Sequence, residues 1–330
     1  MKKFSDTELQ FFEQLLTLNQ NQLKKYSYNF LKRFYPKEKI INHKEYIFAE
    51  GDIPILLVAH LDTVFSFPPK NIYFDQRKNV VWSPQGLGAD DRAGIFAAMQ
   101  IIRSGLHPHI LFTTNEEIGG LGADAFIEDF TKPPAEINYI IQLDRRGSND
   151  CVFYDCHNYQ FYDYIESFGF VTNHGSFSDI SFICPIWDIA GVNLSVGYYD
   201  EHTQQEMLFL GQLYDTINKV KKMLQEKEIP FFKYMGPRKA KSFWNHGWYM
   251  TPCDEEDINV VECHVCKKEL FEFETYPVKA INNEKTHYYC IDCLTNAPIR
   301  WCDRCNEPFG TYNKNDCLCP DCKSLKIWSL

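Results

Sequence analysis

Up to about residue 229 the chain alternates between two hydrophobic periods. Leu9, Phe12, Leu15 and Leu16 recur at helical spacing behind Ser5-Asp6-Thr7-Glu8, which has the form of a capping box. A second helical stretch runs from about Leu23 to Phe34 and is ended by Pro36. Tyr46-Ile47-Phe48 and Ile55-Leu56-Leu57-Val58-Ala59 predict strands, the second continuous enough to be buried on both faces. A hairpin is expected over Asn71 to Trp82. Then come a helix from Ala93 to Ile102, a strand from Ile110 to Thr114 and a helix from Leu121 to Phe130. A strand from Tyr139 to Leu143, a helix from Tyr159 to Phe168, a strand from Val192 to Val196 and a long amphipathic helix from Glu206 to Gln225 complete the series. Such alternation predicts an α/β protein, a three-layer α/β/α sandwich with a mostly parallel central sheet. Ligands of such sheets gather at the carboxyl ends of the strands.

The character changes near Pro230. Pro237-Arg238-Lys239-Ala240-Lys241 and the aromatic run Phe243 to Tyr249 read as a linker. The acidic run Asp254-Glu255-Glu256-Asp257 leads into a cysteine-rich end. The expected division is therefore 1–229 for the α/β domain, 230–258 for the linker and 259–330 for a small cysteine-rich zinc-binding domain. A hydrophobic fraction of 45% with 26 Phe is ample for a sizeable core. A net charge of -10 argues against nucleic acid as partner, since phosphate neutralisation needs clustered Lys and Arg. Met1-Lys2-Lys3-Phe4-Ser5-Asp6 has no apolar run behind its lysines, and no uncharged stretch approaches the roughly 20 residues of a membrane span. The expectation is a cytoplasmic protein without membrane contact.

Chemistry concentrates at predicted strand ends and in Gly-rich turns. His60 and Asp62 close the apolar run Leu57-Val58-Ala59. Asp90 and Asp91 sit in Gly86-Leu87-Gly88-Ala89-Asp90-Asp91-Arg92-Ala93-Gly94. Glu116-Glu117 follows Thr113-Thr114-Asn115, Asp144 follows Leu143, and His202 follows Gly197-Tyr198-Tyr199-Asp200-Glu201. Imidazoles and carboxylates in this number suit two zinc ions with a shared carboxylate, the arrangement of a two-metal hydrolytic site. Asp90 is the choice for the bridge and Asp91 its competitor. Adjacent glutamates in an extended segment cannot point the same way, so one of the pair can hold a metal while the other addresses water.

On these motifs, residues 5–228 or thereabouts resemble the co-catalytic zinc exopeptidases, the superfamily of peptidase T, the acetylornithine deacetylase-like amidohydrolases and the single-domain zinc aminopeptidases. His60-Leu61-Asp62-Thr63-Val64 is similar to that superfamily's first metal motif, and its Asp-x-Lys/Arg element falls on Asp90-Asp91-Arg92, favouring Asp90 as bridge. The resemblance implies one zinc on His60, Asp90 and Asp144, and another on Asp90, Glu117 and His202. It makes Glu116 the general base, with Asp62 orienting His60. About 58 residues separate Asp144 from His202, too few for an inserted lid domain, so the plan is the compact one. Without a lid, Tyr198, Tyr199 and His174 become candidates for stabilising the transition state, and Arg145 and Arg146 for binding a substrate carboxylate.

Of 13 cysteines, nine follow residue 260: Cys263, Cys266, Cys290, Cys293, Cys302, Cys305, Cys317, Cys319 and Cys322. Cys263-x-x-Cys266 with Cys290-x-x-Cys293, and Cys302-x-x-Cys305 with Cys319-x-x-Cys322, have the spacing of two four-thiolate zinc sites. The stretch is similar to tandem zinc ribbons or treble-clef fingers. Cys317 is an alternative to Cys319, His264 or His287 can substitute elsewhere, and the same spacing suits an interleaved arrangement as in RING or LIM modules. A module of this size needs metal to fold, and it offers a surface for a protein partner. The expected cofactors are thus zinc, two catalytic and two structural. The expected function is amide hydrolysis on a peptide or acyl amino acid, most simply by an aminopeptidase or other exopeptidase. The rivals are an N-acyl amino acid deacetylase on the same fold, and a zinc-finger adaptor whose hydrolase domain is vestigial.

Overall fold

The computed structural model describes residues 4–236 and, in the C-terminal part, 260–271, 275–279, 286–290, 293, 299–301 and 308–310. Contacts divide the chain into two compact units, Met1–Arg238 and Lys239–Leu330.

The first unit opens with two helices, α1 (Asp6–Leu16) and α2 (Gln20–Leu31), each started by a complete capping box, from Ser5 with Glu8 and from Asn19 with Gln22. The strands β1 (Ile40–Asn42), β2 (Tyr46–Ala49) and β3 (Ile53–His60) follow, then the hairpin β4 (Tyr73–Asp75) and β5 (Val80–Trp82). Helix α3 (Ala89–Arg103) leads into β6 (Pro108–Thr113), α4 (Leu121–Asp129) and β7 (Tyr139–Arg145). After β8 (Asp150–Val152), α5 (Tyr159–Ser167) and β9 (Val171–Thr172), helix α6 (Ile180–Trp187) precedes β10 (Gly191–Ser195). The short strands β11 (Tyr198–Tyr199) and β12 (Met207–Phe209) and the helix α7 (Leu210–Leu224) end the series.

Eight strands make one sheet in the order β1-β2-β6-β3-β7-β10-β8-β9. Its centre, β6-β3-β7-β10, is parallel, and β1, β2 and β8 add antiparallel margins. Side chains of β3 divide by parity, as a strand buried on both faces requires. Ile55, Leu57 and Ala59 join a core with α1, α2, α3 and α7, whereas Leu56 and Val58 face Ala123 and Phe126 of α4 and Ile180 and Ile183 of α6. The three-layer α/β/α sandwich is therefore present. Among the described residues no helix is long and apolar enough to cross a membrane.

Three local outcomes differ from the sequence reading. The long helix expected from Glu206 begins only at Leu210. Met207–Phe209 instead pairs with β5 and β11 in a second, four-stranded sheet. Helix α6 had no signal, since Ile180-Ser181-Phe182-Ile183-Cys184-Pro185-Ile186-Trp187 is apolar almost throughout and carries an internal proline. Residues 231–236, counted with the linker by composition, lie along the sheet: Phe232 is buried, donates its amide to the Asn138 carbonyl at 3.0 Å and accepts from Ala190 at 2.9 Å. The rest of that linker, 237–258, lies outside the described residues.

In the second unit, β13 (Val260–Glu262) pairs with β14 (Glu269–Phe271), β15 (Thr275–Lys279) with β16 (Thr286–Cys290), and β17 (Ile299–Trp301) with β18 (Pro308–Gly310), all antiparallel.

Phe96 of α3 is fully buried and meets Phe4, Phe11 and Phe12 with ring centroids 5.2, 5.5 and 5.3 Å away, so it fastens the N-terminal helix to the sandwich. Phe96→Ala is expected to lower the unfolding free energy by about 3–5 kcal/mol in denaturant titration. A loss under about 1 kcal/mol would show that this packing contributes little.

Candidate metal centre

The parallel strands deliver the candidate residues to one edge. His60 is the last residue of β3, Asp144 lies at the end of β7, and Glu116 and Glu117 follow β6. Asp90 arrives on the first turn of α3, which packs hard against β7: a Cβ on Gly94 would stand 2.0 Å from the Leu143 carbonyl oxygen. Glycine there lets the turn reach the strand ends. His202 comes from the loop between β11 and β12 in the left-handed conformation (φ 63°), as does Asn115 (φ 57°) beside the glutamate pair. Asn and His are among the non-glycine residues that tolerate that conformation best.

The geometry separates two triads that share one carboxylate. His60 Nε2 is 3.0 Å from Asp90 Oδ1 and 3.3 Å from Asp144 Oδ1. His202 Nε2 is 3.1 Å from Asp90 Oδ2 and 3.1 Å from Glu117 Oε2. Asp91, the competing candidate, turns the other way. Its Oδ2 accepts the His60 amide at 3.2 Å and its Oδ1 the Gly94 amide at 2.8 Å, so it caps α3. The Asp62 carboxylate has two tasks. Oδ1 is 3.2 Å from His60 Nδ1, and the two oxygens accept the amides of Glu116 and Glu117 at 3.0 and 3.1 Å. One side chain thereby fixes the imidazole and the loop that carries both glutamates.

Charge is unevenly met. Burial alone would lower the His60 imidazole, but the carboxylates of Asp144, Asp62 and Asp90 outweigh it and hold it well above its ordinary value. Hydrogen bonds to Asp90 and Glu117 raise His202 to about 10. Burial opposes ionisation of Asp90, yet the two histidines keep that carboxyl below the usual range. Burial, with Asp144, Asp179 and Asp90 outweighing His60, pushes Glu116 up to about 9. Burial and the Asp90 charge take Asp144 to about 7 against the pull of His60. Glu117 Oε1 is buried with no hydrogen-bond partner.

These are the marks of donors arranged for cations. Ligand atoms about 2.0 Å from a tetrahedral ion stand about 3.3 Å apart, close to the spacings of both triads. A buried oxygen without a donor, and protons held by crowded carboxylates, both give way to a metal ion. His60, Asp90 and Asp144 fit one ion, and Asp90, Glu117 and His202 fit another.

Several supporting residues had no local signal. Glu206, buried just before β12, accepts the amides of Gly88 at 2.6 Å and Asp90 at 3.0 Å and so holds the turn carrying Asp90. Buried Arg92 donates to the Asp62 and Leu18 carbonyls. Gln20 exchanges two hydrogen bonds with Asn115, at 3.1 and 3.2 Å, which ties α2 to the glutamate loop. Ser178 donates to Asp144 Oδ2 at 3.2 Å, and Asn193 Oδ1 accepts the Asp144 amide at 2.9 Å. Only contacts across the fold reveal these roles.

A cavity of about 340 Å³ opens over the triads and is lined by Asp90, Glu116, Glu117, Asp144 and His202, with Arg145 and Arg146. Arg145 donates to the His174 carbonyl at 3.0 Å, and Arg146 pairs with Glu201 at 3.0 Å. Tyr198, considered for the transition state, directs its hydroxyl to Asp144, 3.0 Å from the carbonyl and 3.2 Å from Oδ1, and positions that carboxylate instead. Tyr199 packs edge-on against Phe209 at 5.2 Å. His174 is exposed and does not line this cavity.

In the second unit, ligand atoms of Cys263, Cys266 and Cys293 lie within 4.8 Å of one another, and His264 and His287 meet beside them with Nδ1 atoms 3.1 Å apart. Cys290 ends β16. Its side chain, and all of Cys302, Cys305, Cys317, Cys319 and Cys322, lie outside the described residues.

Comparison with known proteins agrees with this architecture. Residues 43–163 match the sequence model of Peptidase family M28. A probable carboxypeptidase of Aspergillus niger is 33% identical over 98 residues, 28% of this chain and 24% of that protein, so the chain spans about a quarter of that relative's length. A tripeptidase from Staphylococcus aureus superposes with a TM-score of 0.50 at 14% identity, covering 66% of this chain and 97% of that one. A TET aminopeptidase from a marine-sediment thaumarchaeon gives 0.50 at 13% identity, covering 68% and 98%. At these identities the structural likenesses establish the fold.

The protonation pattern sets a pH dependence for metal uptake. Raised to about 10, His202 favours the metal-free fold below its unfolded value, near 6.5, and loses that contribution as pH rises through about 10. A metal needs the neutral imidazole, so uptake must expel protons and apparent affinity must climb from pH 6 to 9. Zinc titration by calorimetry, in buffers of different ionisation enthalpy, should show proton release on binding. Affinity independent of pH would contradict the arrangement.

Proposed function

We propose that the chain is a two-metal exopeptidase that hydrolyses a terminal amide bond of small peptides, with zinc held by His60, Asp90 and Asp144 and by Asp90, Glu117 and His202. The observation that carries this reading is the Asp90 carboxylate, each of whose oxygens faces a different histidine at 3.0 and 3.1 Å while a further carboxylate completes each set. The family match over residues 43–163, spanning four of these five positions, supports it. The complete set of acids and imidazoles speaks against a vestigial hydrolase.

When bound, the ions supply Lewis acidity, polarising the scissile carbonyl and lowering the pKa of the attacking water. The chain does the rest. Glu116, held toward the cavity by the Asp62 grip on its amide, takes the proton of the attacking water and passes it to the leaving amine. Asp62 keeps the His60 ring oriented, and Tyr198 and Ser178 hold Asp144. Glu206 keeps the Asp90 turn in place, so the carboxylate meets both histidines without rearrangement.

Glu116→Gln is expected to lower kcat by about 10²–10⁴-fold while both active-site metals are retained, as read by turnover and metal analysis together. Loss of a metal would instead exchange the roles of Glu116 and Glu117. A panel of free peptides, N-acylated peptides and acyl amino acids separates the aminopeptidase from the deacetylase, since only the former requires the free amine.

The second unit is proposed to hold two structural zinc ions, on Cys263, Cys266, Cys290 and Cys293 and on Cys302, Cys305, Cys319 and Cys322. The sulfur cluster of Cys263, Cys266 and Cys293 supports the first. Metal analysis of the reduced protein should return four ions per chain, and mild chelation should remove the open catalytic pair first because closed thiolate sites hold tighter. Two ions per chain would sink the structural sites.

A further inference from the structure

A second cavity, of about 510 Å³, adjoins the first and shares Glu117 with it. The first holds Asp90, Glu116, Asp144 and His202, so the reacting amide belongs there. A substrate that continues past Glu117 enters the second. Its volume falls within the roughly 300–1,000 Å³ of small-molecule sites. Four elements build it: the α1–α2 corner, the loop after β3, the turn leading into α3 and the glutamate loop. Its wall includes Val64, Phe65, Phe67, Pro69, Leu87 and Ile118. Phe67 is 81% exposed, Ile118 69% and Val64 42%. Large apolar side chains left in water around one concavity mark a surface meant to be covered.

The charged residues lining this cavity are Asp62, Arg92 and Glu117, and each is engaged elsewhere. Asp62 faces His60 and the amides of Glu116 and Glu117. Arg92 is buried and donates to the Asp62 and Leu18 carbonyls. Glu117 faces His202 through Oε2, and this carboxylate, whose Oε1 has no hydrogen-bond partner, belongs to the proposed metal set. A charged side chain entering here would lose hydration and gain no counter-ion, whereas an apolar one would cover exposed Phe67 and Ile118.

We infer that this second cavity is the specificity pocket, and that it takes a bulky, uncharged apolar side chain of the residue flanking the scissile amide. The inference rests on the exopeptidase reading and narrows its substrate class. It also gives the N-terminal helical corner, which precedes the family match at residue 43, a part in substrate choice.

The test uses the full-length, zinc-loaded protein and dipeptides with Leu, Phe, Gly, Lys or Asp placed in turn on either side of the bond. At one of the two positions, Leu and Phe should exceed Gly, Lys and Asp in kcat/KM by about tenfold or more, each methylene lost from such a pocket being worth roughly 10–200-fold. In the double variant Phe67→Ser, Ile118→Ser that Leu/Gly ratio should fall toward one with metal content unchanged. Tyr159→Ser removes an exposed aromatic that lines neither cavity and should leave the ratio as it is. A preference for Lys or Asp, equal rates across the panel, or a ratio untouched in the double variant would overturn the inference. If no peptide is cleaved, the exopeptidase reading fails on its own. Calorimetry with Leu-Leu and Gly-Gly then decides the pocket: tighter binding of Leu-Leu, lost in the double variant, sustains it, and equal binding overturns it.

Discussion

Carboxylates outnumber cations where the parallel strands end, and the surroundings of the site answer that imbalance. Asp62, Asp90, Asp91, Asp144 and Asp179 converge there with Glu116 and Glu117, while His60, His202, buried Arg92 and, on the cavity wall, Arg145 and Arg146 are the cationic groups near them. Burying acids at this density is costly unless each finds a donor or a counter-charge. Asp91 is satisfied by backbone amides, Asp62 by two amides and an imidazole, and Asp179 on one oxygen by the Thr113 hydroxyl at 2.5 Å, its other oxygen being buried without a partner. Of the remainder, Asp90, Asp144 and Glu117 are grouped with the two histidines in two sets that could each hold a metal ion, and Glu116 stands beside them.

The same imbalance explains why so much of the sandwich is given to holding one turn. Glu206 pulls the backbone of Gly88 and Asp90 toward β12, and Gly94 lets α3 settle on β7. Gln20 and Arg92 link the N-terminal helices to the loops bearing Glu116, Glu117 and Asp62. Ligands on rigid strand ends, with their backbones fixed from several directions, need little reorganisation to bind metal.

What the sequence revealed followed from local signals. The unbroken apolar run of β3 announced a strand buried on both faces, and His60, Asp144 and the glutamate pair stood where such strands end. Asp90 and Asp91 could not be told apart from their shared turn; their different directions emerge only from the packing of α3. Glu206 read as the first residue of a helix, because nothing near it betrays a partner 118 residues away. Helix α6 and the two-residue β9 lacked a usable period, and Gln20, three residues before the apolar spacing of its helix begins, carried no signal of its own. Long-range hydrogen bonds between ordinary polar side chains leave no trace in spacing.

The reach of Glu206 back to the Asp90 turn has a consequence for the biosynthesis of the protein. Residues 88–90 leave the ribosome long before residue 206, and His202 is made only four positions ahead of it. Until both have emerged, the shared carboxylate has neither its brace nor its second histidine. Synthesis proceeds at about 5–20 residues per second, and contacts of this separation close late. A nascent chain short of β12 therefore carries every acidic ligand yet no finished centre. The proposed centre is thus completed only after the sandwich has closed.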